Sequence, residues 1–356
     1  MKYRNVVLQN NIPVTVAGTT TYDINLSDVI SRLQFKFNLT NAAAAPAIIA
    51  HPARAITRIE VIDGSHTIAS LSGEELMAQN YYDHGRAPYS YINTITNTDS
   101  IINMNLDFGR RLWDKELAFD PKRYMNPQIR CTYNIALWET NAAAGAMTIT
   151  ADVFDEKSVT PRGFLKRHEI TTWTPANATI AYLKLPTDFP IRGMFMTGYS
   201  TNNTLQAQIH DFKLIEDQAK KVVFDTPMTR YLGNLNSDYD PIIEECIILG
   251  SDTFYTMAAM DSRFIALDTV AGDITVTSST ADTIVMTNAN AAARSEGHVI
   301  GFVPFHTVPV FFGDKDDLDD WYDTNNIKNL ELQCTGAAAV GAGPVGRLTL
   351  EQLVPF

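Results

Sequence analysis

The stretch Ile56-Thr-Arg-Ile-Glu-Val-Ile-Asp63 leads into Leu71-Ser-Gly-Glu-Glu-Leu-Met77. It has a counterpart in Ile209-His-Asp-Phe-Lys-Leu-Ile-Glu216, which leads into Phe224-Asp-Thr-Pro-Met-Thr-Arg230. Pairing Ile56 with Ile209, Ile59 with Phe212, Val61 with Leu214 and Leu71 with Phe224 gives one offset, 153 residues (209 − 56). Each copy reads as a strand, a turn, a second strand and a capped helix. In the first, Ser72-Gly-Glu-Glu75 is a capping box, the Ser oxygen taking a backbone N–H while the Glu reaches back. In the second, Thr226 is expected to cap and Pro227 to take the first helical position. A repeat of this length marks a duplicated unit.

Two further pairs of segments keep the same order. Upstream, Tyr22–Ser27 and Ile30–Phe37 match Tyr182–Pro186 and Ile191–Met196. Downstream, Asn134–Leu137, an Ala-rich loop at 142–144 and Met147–Ile149 match Asn329–Leu332, an Ala-rich loop at 337–339 and Leu348–Leu350. At 356 residues the chain suits two ordinary domains. The join is expected near Ser158-Val-Thr-Pro-Arg-Gly163, which divides the chain into 1–160 and 161–356. The distance from the helix to the last hairpin is 63 residues in the first copy (134 − 71) and 105 in the second (329 − 224). Some 42 extra residues (105 − 63) are therefore expected as a surface insertion around 236–297, including a hairpin at 273–287.

Period-two alternation dominates, as in Leu33-Gln-Phe-Lys-Phe-Asn-Leu39, where odd positions are apolar and even ones polar. Strands with one buried face read this way. Similar segments lie at 58–62, 129–138, 146–154, 179–185, 191–199, 209–215, 273–278, 282–287, 298–303, 328–334 and 346–354. Separated by Asn, Gly, Pro and Ala-rich turns, they have the spacing of a sandwich or barrel. The class is mainly β with a few short helices, two more of which are expected at Arg110–Glu116 and Lys315–Tyr322.

Forty acidic against 28 basic residues leave a net charge of −12. No run of Lys or Arg is long enough to track a phosphate backbone, which argues against direct nucleic-acid binding. Cys131, Cys246 and Cys334 are too widely spaced for a disulfide framework or a CxxC metal pair. They read as buried small apolar residues of a reducing compartment. The first residues lack the apolar core of a signal peptide, and no apolar run reaches 18 residues, so a soluble protein without a cleaved leader is expected.

Little points to catalysis. The seven histidines fall singly, without HExxH spacing, and read as surface or turn residues. There is no Gly-x-Ser-x-Gly, no GxGxxG and no Walker loop, and Ser65 belongs to an Asp63-Gly-Ser-His66 hairpin turn. Neither an enzyme nor a cofactor is expected. The acidic run 314–323 supplies Asp314, Asp316, Asp317 and Asp319 as the ligands a calcium ion would take. Leu318, however, stands where an oxygen ligand is needed. The run therefore reads as a solvated helix start, its carboxylates at the positive end of the helix dipole, and no metal is expected.

The doubled sandwich resembles the double jelly-roll major capsid proteins of tailless icosahedral viruses, above all bacteriophages with an internal membrane. The resemblance rests on Ile59–Ser65 continuing to Ser70–Leu76 and Asn80-Tyr-Tyr82, on Phe119-Asp-Pro121 through Pro127–Ile135, and on the closing Gly346–Val354. It implies two tandem eight-stranded antiparallel jelly-roll β-sandwiches in a homotrimer, which forms a pseudo-hexameric capsomer of an icosahedral shell. The implied partners are other copies of the chain, penton and minor capsid proteins, and an internal lipid membrane reached by an N-terminal arm carrying Lys2 and Arg4. The implied location is the virion capsid, assembled in the host cytoplasm. The alternative is a carbohydrate-active or glycan-binding tandem sandwich, which would need an exposed aromatic platform and a cleft carboxylate pair.

Overall fold

The computed structural model describes residues 3–43, 48–142, 144–155, 159–200, 203–249, 252–255, 258–269, 274–280, 283–288 and 294–356; over 249–295 the description is of the backbone. The first set of elements is β1 (Tyr3–Val14), β2 (Ala17–Asp23), β3 (Ile30–Thr40), β4 (Ile56–Asp63), β5 (His66–Leu71), α1 (Gly73–His84), β6 (Ser90–Asn93), β7 (Asp99–Asp107), β8 (Pro127–Asn134) and β9 (Ala144–Phe154). The second opens with β10 (Gly163–Trp173), β11 (Ile180–Leu185), β12 (Ile191–Tyr199), β13 (Ile209–Glu216), β14 (Lys221–Pro227) and α2 (Met228–Asp238). Six strands follow: β15 (Ile242–Leu249), β16 (Asp252–Tyr255), β17 (Ala258–Thr269), β18 (Ile274–Thr280), β19 (Thr283–Asn288) and β20 (Arg294–Pro304). The chain closes with β21 (Thr307–Phe311), β22 (Leu330–Gly336) and β23 (Val345–Pro355).

The strands pair in an order that repeats. The ladders β1-β9-β3-β7 and β2-β8-β4-β5 of the first set recur as β10-β23-β12-β21 and β11-β22-β13-β14. Setting aside β6 and the six inserted strands, each set is two four-stranded sheets with the pairing of a jelly roll. The two rolls share sheets. β5 pairs in parallel with β10, so the second ladder of roll 1 and the first ladder of roll 2 form one eight-stranded sheet, and β6 pairs in parallel with β15.

Alternation accounts for the cores. In β3, Leu33, Phe35, Phe37 and Leu39 are buried, while Arg32, Gln34, Lys36 and Asn38 face the other way. Ile59, Val61, Ile129 and Cys131 are among the buried residues of the opposing sheet. In roll 2, Met194, Met196, Leu348 and Leu350 play the first part and Phe212, Leu214, Leu332 and Cys334 the second. Burying each such side chain contributes about 1.5–3 kcal/mol before chain entropy is counted. β12 differs: Ile191–Gly198 are buried on both faces, because roll 1 covers the outer side of its sheet.

Cross-strand register fixes which residues are equivalent. Ile59 lies opposite Cys131 and Phe212 opposite Cys334, so the offset of 153 in β4 and β13 becomes 203 (334 − 131) in β8 and β22. The match of Asn134 with Asn329 is therefore out of register, since Asn134 ends β8 while Asn329 precedes β22. Ile59 also faces Leu71, and Phe212 faces Thr226. Leu71 thus corresponds to Thr226 and not Phe224, at an offset of 155 (226 − 71). The two extra residues lie in the turn, which spans 217–220 in roll 2 against Gly64 and Ser65 in roll 1.

The helices differ in part from expectation. Ser72 caps α1 as its sequence predicts, but Pro227 is the cap residue of α2 and offers no side-chain acceptor. The Thr226 hydroxyl instead accepts from Arg230 at 3.0 Å. Arg110–Glu116 is not a helix but a set of turns around Asp114, whose carboxylate takes the backbone N–H groups of Arg110, Glu116 and Leu117. In 315–322 only Leu318–Asp320 makes a short 3-10 turn. Residues 156–158, at the expected join, lie outside the described residues, as do Lys2 and residue 143 of the first Ala-rich loop.

Candidate functional site: the joint between the rolls

α1 starts where β5 ends and runs between the two rolls. Its capping box is closed: the Ser72 hydroxyl accepts from Glu75 N–H at 3.3 Å and the Glu75 carboxylate accepts from Ser72 N–H at 2.8 Å. Gly73 permits a close approach, since a Cβ there would lie 2.5 Å from the Ala53 carbonyl oxygen. Gly85, at φ 70°, ends the helix in the left-handed region. Lys315 then donates to the carbonyls of Tyr82 and Asp83 at 2.9 and 3.3 Å, placing a cation at the helix's negative end.

At the centre of the joint are four charged side chains with no exposed surface, drawn from four elements. Asp83 of α1 accepts from Arg167 of β10 at 2.6 Å and from Arg192 of β12 at 2.8 Å. Arg192 also reaches Glu351 of β23 at 2.6 Å, and Arg167 Nε lies 3.1 Å from the same carboxylate. Burial alone would raise Asp83, but the two guanidiniums outweigh it and hold its carboxyl well below the usual range. Burial raises the Glu351 carboxyl despite the same two partners. Thr349 of β23 donates to Glu75 at 2.9 Å, and the Tyr82 hydroxyl donates to the Thr307 carbonyl of β21 at 2.8 Å. Two opposite pairs in a dry site set orientation more than they add stability.

A second contact ties roll 1 to the inserted strands. His51 Nδ1 accepts from Ala53 N–H at 3.0 Å, which leaves its proton on Nε2 to donate to Glu244 of β15 at 2.6 Å. Ser90 donates to the same carboxylate at 2.7 Å. His51 and His306 are 2% and 1% exposed, so neither is a surface residue, although His306 does sit in the turn between β20 and β21. His84 is likewise engaged, with Asp107 at 2.9 Å, while Arg32 grips that carboxylate from the other side at 2.5 and 2.9 Å. His168, which touches the joint through β10, is lowered to about 4 by burial and by Lys166.

The acidic run spends its carboxylates on its own backbone. Asp314 accepts from Asp316 N–H at 2.9 Å, Asp317 from Asp319 N–H at 3.1 Å, and Asp320 from Asp314 N–H at 2.6 Å. Asp319 lies one residue into the short turn that Asp317 caps. Among the described residues no group of three or more His, Cys, Asp or Glu side chains is placed to hold a metal ion. All three cysteines are free and buried, as their spacing suggests. Burial pushes the Cys131 and Cys334 thiols up to about 12, which leaves them protonated and unreactive. The described exposed aromatics, Tyr89 beside β6 and Tyr182 on β11, belong to different rolls. No described helix is long and apolar enough to cross a membrane.

The outer face of β1-β9-β3-β7 is open. It floors a groove of 1390 Å3 lined by Asn5, Gln34, Lys36, Asn105, Thr148 and Thr150, with Arg86, Arg111 and Glu245 on its walls. The corresponding face of roll 2 is the one that α1 covers.

No family model and no curated protein sequence matches the chain. Solved structures do. The major capsid protein of Sulfolobus turreted icosahedral virus is similar over 100% of this chain and 98% of its own, with a TM-score of 0.64 at 11% identity. VP54 of PBCV-1 is similar over 99% of this chain and 93% of its own, with a TM-score of 0.60 at 11% identity. The major capsid protein P2 of bacteriophage PM2 matches over 99% and 98%, with a TM-score of 0.54 at 10% identity. The chain has their fold, two jelly rolls in tandem, from end to end.

Proposed function

We propose that this chain is the major capsid protein of an icosahedral virus, a structural subunit that works by associating with copies of itself. The observation that carries the proposal is the end-to-end match: the fold is that of the Sulfolobus virus capsid protein over 100% of this chain and 98% of that one. A second support is the use made of the charged groups. Asp83, Arg167, Arg192 and Glu351 bind one another inside the joint, where they hold two rolls at a fixed angle. A lattice subunit needs that rigidity.

In this reading the chain divides at about residue 160 into one roll per half, and the insertion expected around 236–297 as a surface loop is instead largely strands, of which β15 joins the sheet of roll 1 through β6 and is partly buried. Three chains bring six rolls into a pseudo-hexameric capsomer, and capsomers tile the shell with penton and minor capsid proteins. A bacteriophage with an internal membrane is the source favoured by the original resemblance, with assembly in the host cytoplasm. Arg4, expected on an N-terminal arm facing that membrane, lies in β1 and is paired with Asp28 at 2.6 Å.

Sedimentation of the purified chain tests the proposal. The expected result is a trimer at micromolar concentration that forms larger ordered particles as concentration rises. A chain that stays monomeric at every accessible concentration would overturn it.

A further inference from the structure

The duplication shows what should cover α2. Because Leu71 corresponds to Thr226, Ser72 and Pro227 both cap their helices and the offset of 155 carries through the helices. Glu75, Ala78, Gln79, Tyr82 and Asp83 of α1 then correspond to Arg230, Gly233, Asn234, Ser237 and Asp238 of α2. The α1 side chains are buried, since they face roll 2. All five α2 residues are exposed.

The receiving face is duplicated too. α1 lies on the outer side of β10-β23-β12-β21, and the equivalent side of β1-β9-β3-β7 is the open groove. Bulges fix the alignment of the first strands: β1 skips Leu8 and β10 skips Ile170, an offset of 162 (170 − 8). Arg167 and His168, which pair with Ala69 and Ser70 of β5, therefore correspond to Asn5 and Val6. Ala69 and Ser70 correspond to Phe224 and Asp225 of β14. Among the described strands, β14 and β1 are both sheet edges with one side unpaired.

We propose that a second copy of this chain seats in the groove, its α2 on the outer face of β1-β9-β3-β7 and its β14 added in parallel to β1. Phe224 of that copy lies opposite Asn5, and Asp225 opposite Val6. The contact repeats between chains what α1 and β5 make with roll 2 inside one chain. Charge agrees with it on balance: Asp225, Asp238 and Asp240 outnumber Arg230 on the exposed entering side, and Lys36, Arg86 and Arg111 outnumber Glu245 in the groove. Such a head-to-tail contact generates a closed ring when its rotation closes. The inference rests on the reading of the chain as a self-assembling subunit, and it adds the surfaces and the register.

Two variants test it. A Cβ at Gly233 would meet nothing within 4 Å in its own chain, the position is exposed and Arg has the higher helix propensity, so the Gly233→Arg monomer should fold with an unchanged or higher melting temperature. In the groove it should collide and weaken association by about tenfold or more. Val6→Cys with Asp225→Cys should form a disulfide between chains on mild oxidation, which neither single variant does. The native thiols are buried and protonated and stay out of the reaction. If wild type assembles but Gly233→Arg assembles equally well and the double variant does not cross-link, the interface is wrong and the capsid reading stands. If wild type does not associate at all, both fall.

Discussion

Arg192 holds two carboxylates at once, Asp83 at 2.8 Å and Glu351 at 2.6 Å, with none of the three side chains exposed. Replacing it with Leu would leave two carboxylates to share Arg167 in a dry site, and the expected loss is about 3–5 kcal/mol in a urea unfolding titration. His168 makes a second prediction. Its pKa falls from the ordinary 6.5 to about 4, chiefly through burial, so the unfolded chain takes the proton first. Stability from this group is present above pH 6.5 and is lost as pH falls from 6.5 through about 4, at no more than about 1.4 kcal/mol per pH unit. In His168→Gln that part of the acid slope should vanish, measured as the difference between the two unfolding curves. None of these partnerships is legible in the sequence. Asp83, Arg167, Arg192 and Glu351 come from four elements, and His51 meets Glu244 across 193 positions. A lone histidine between Ala50 and Pro52 gives no sign of a partner so far away.

The two helices separate local signals that decide structure from those that only resemble them. Ser72→Ala should cost about 1 kcal/mol, because the hydroxyl and Glu75 satisfy N–H groups that have no other partner. Thr226→Ala should stay within about 0.5 kcal/mol, since Pro227 caps α2 and Thr226 binds only the Arg230 side chain. Chemical denaturation of both variants checks the contrast. Strands show the same division. β3 was legible because one face is buried and one is not, so Leu33 to Leu39 alternate cleanly. β12, buried on both faces, owes its burial to a neighbouring roll, which alternation within the strand does not reveal. Arg110–Glu116 carries helix-forming residues, yet Asp114 ties three backbone N–H groups into turns and no helix can form.

At the scale of the molecule, duplication was legible and its register only in part. The offset of 153 in β4 and β13 holds residue for residue, because both strands have eight positions and the same buried face. Beyond the first turn it drifts, to 155 at the helices and 203 at β8 and β22, as loops of different length intervene. The surplus between helix and β22 is accordingly 48 residues (203 − 155), and it makes up most of the stretch that carries β15 to β20. The joint itself could not be read from either half, since it exists only where the rolls meet. The same shape would then be used twice, once inside the chain and once between chains. The most direct test is an image of the purified assembly viewed down its axis, at a resolution that separates single rolls. The account predicts six lobes in a closed ring, two per chain, with the same spacing within and between chains. Two lobes standing alone, or chains joined through other faces, would contradict it.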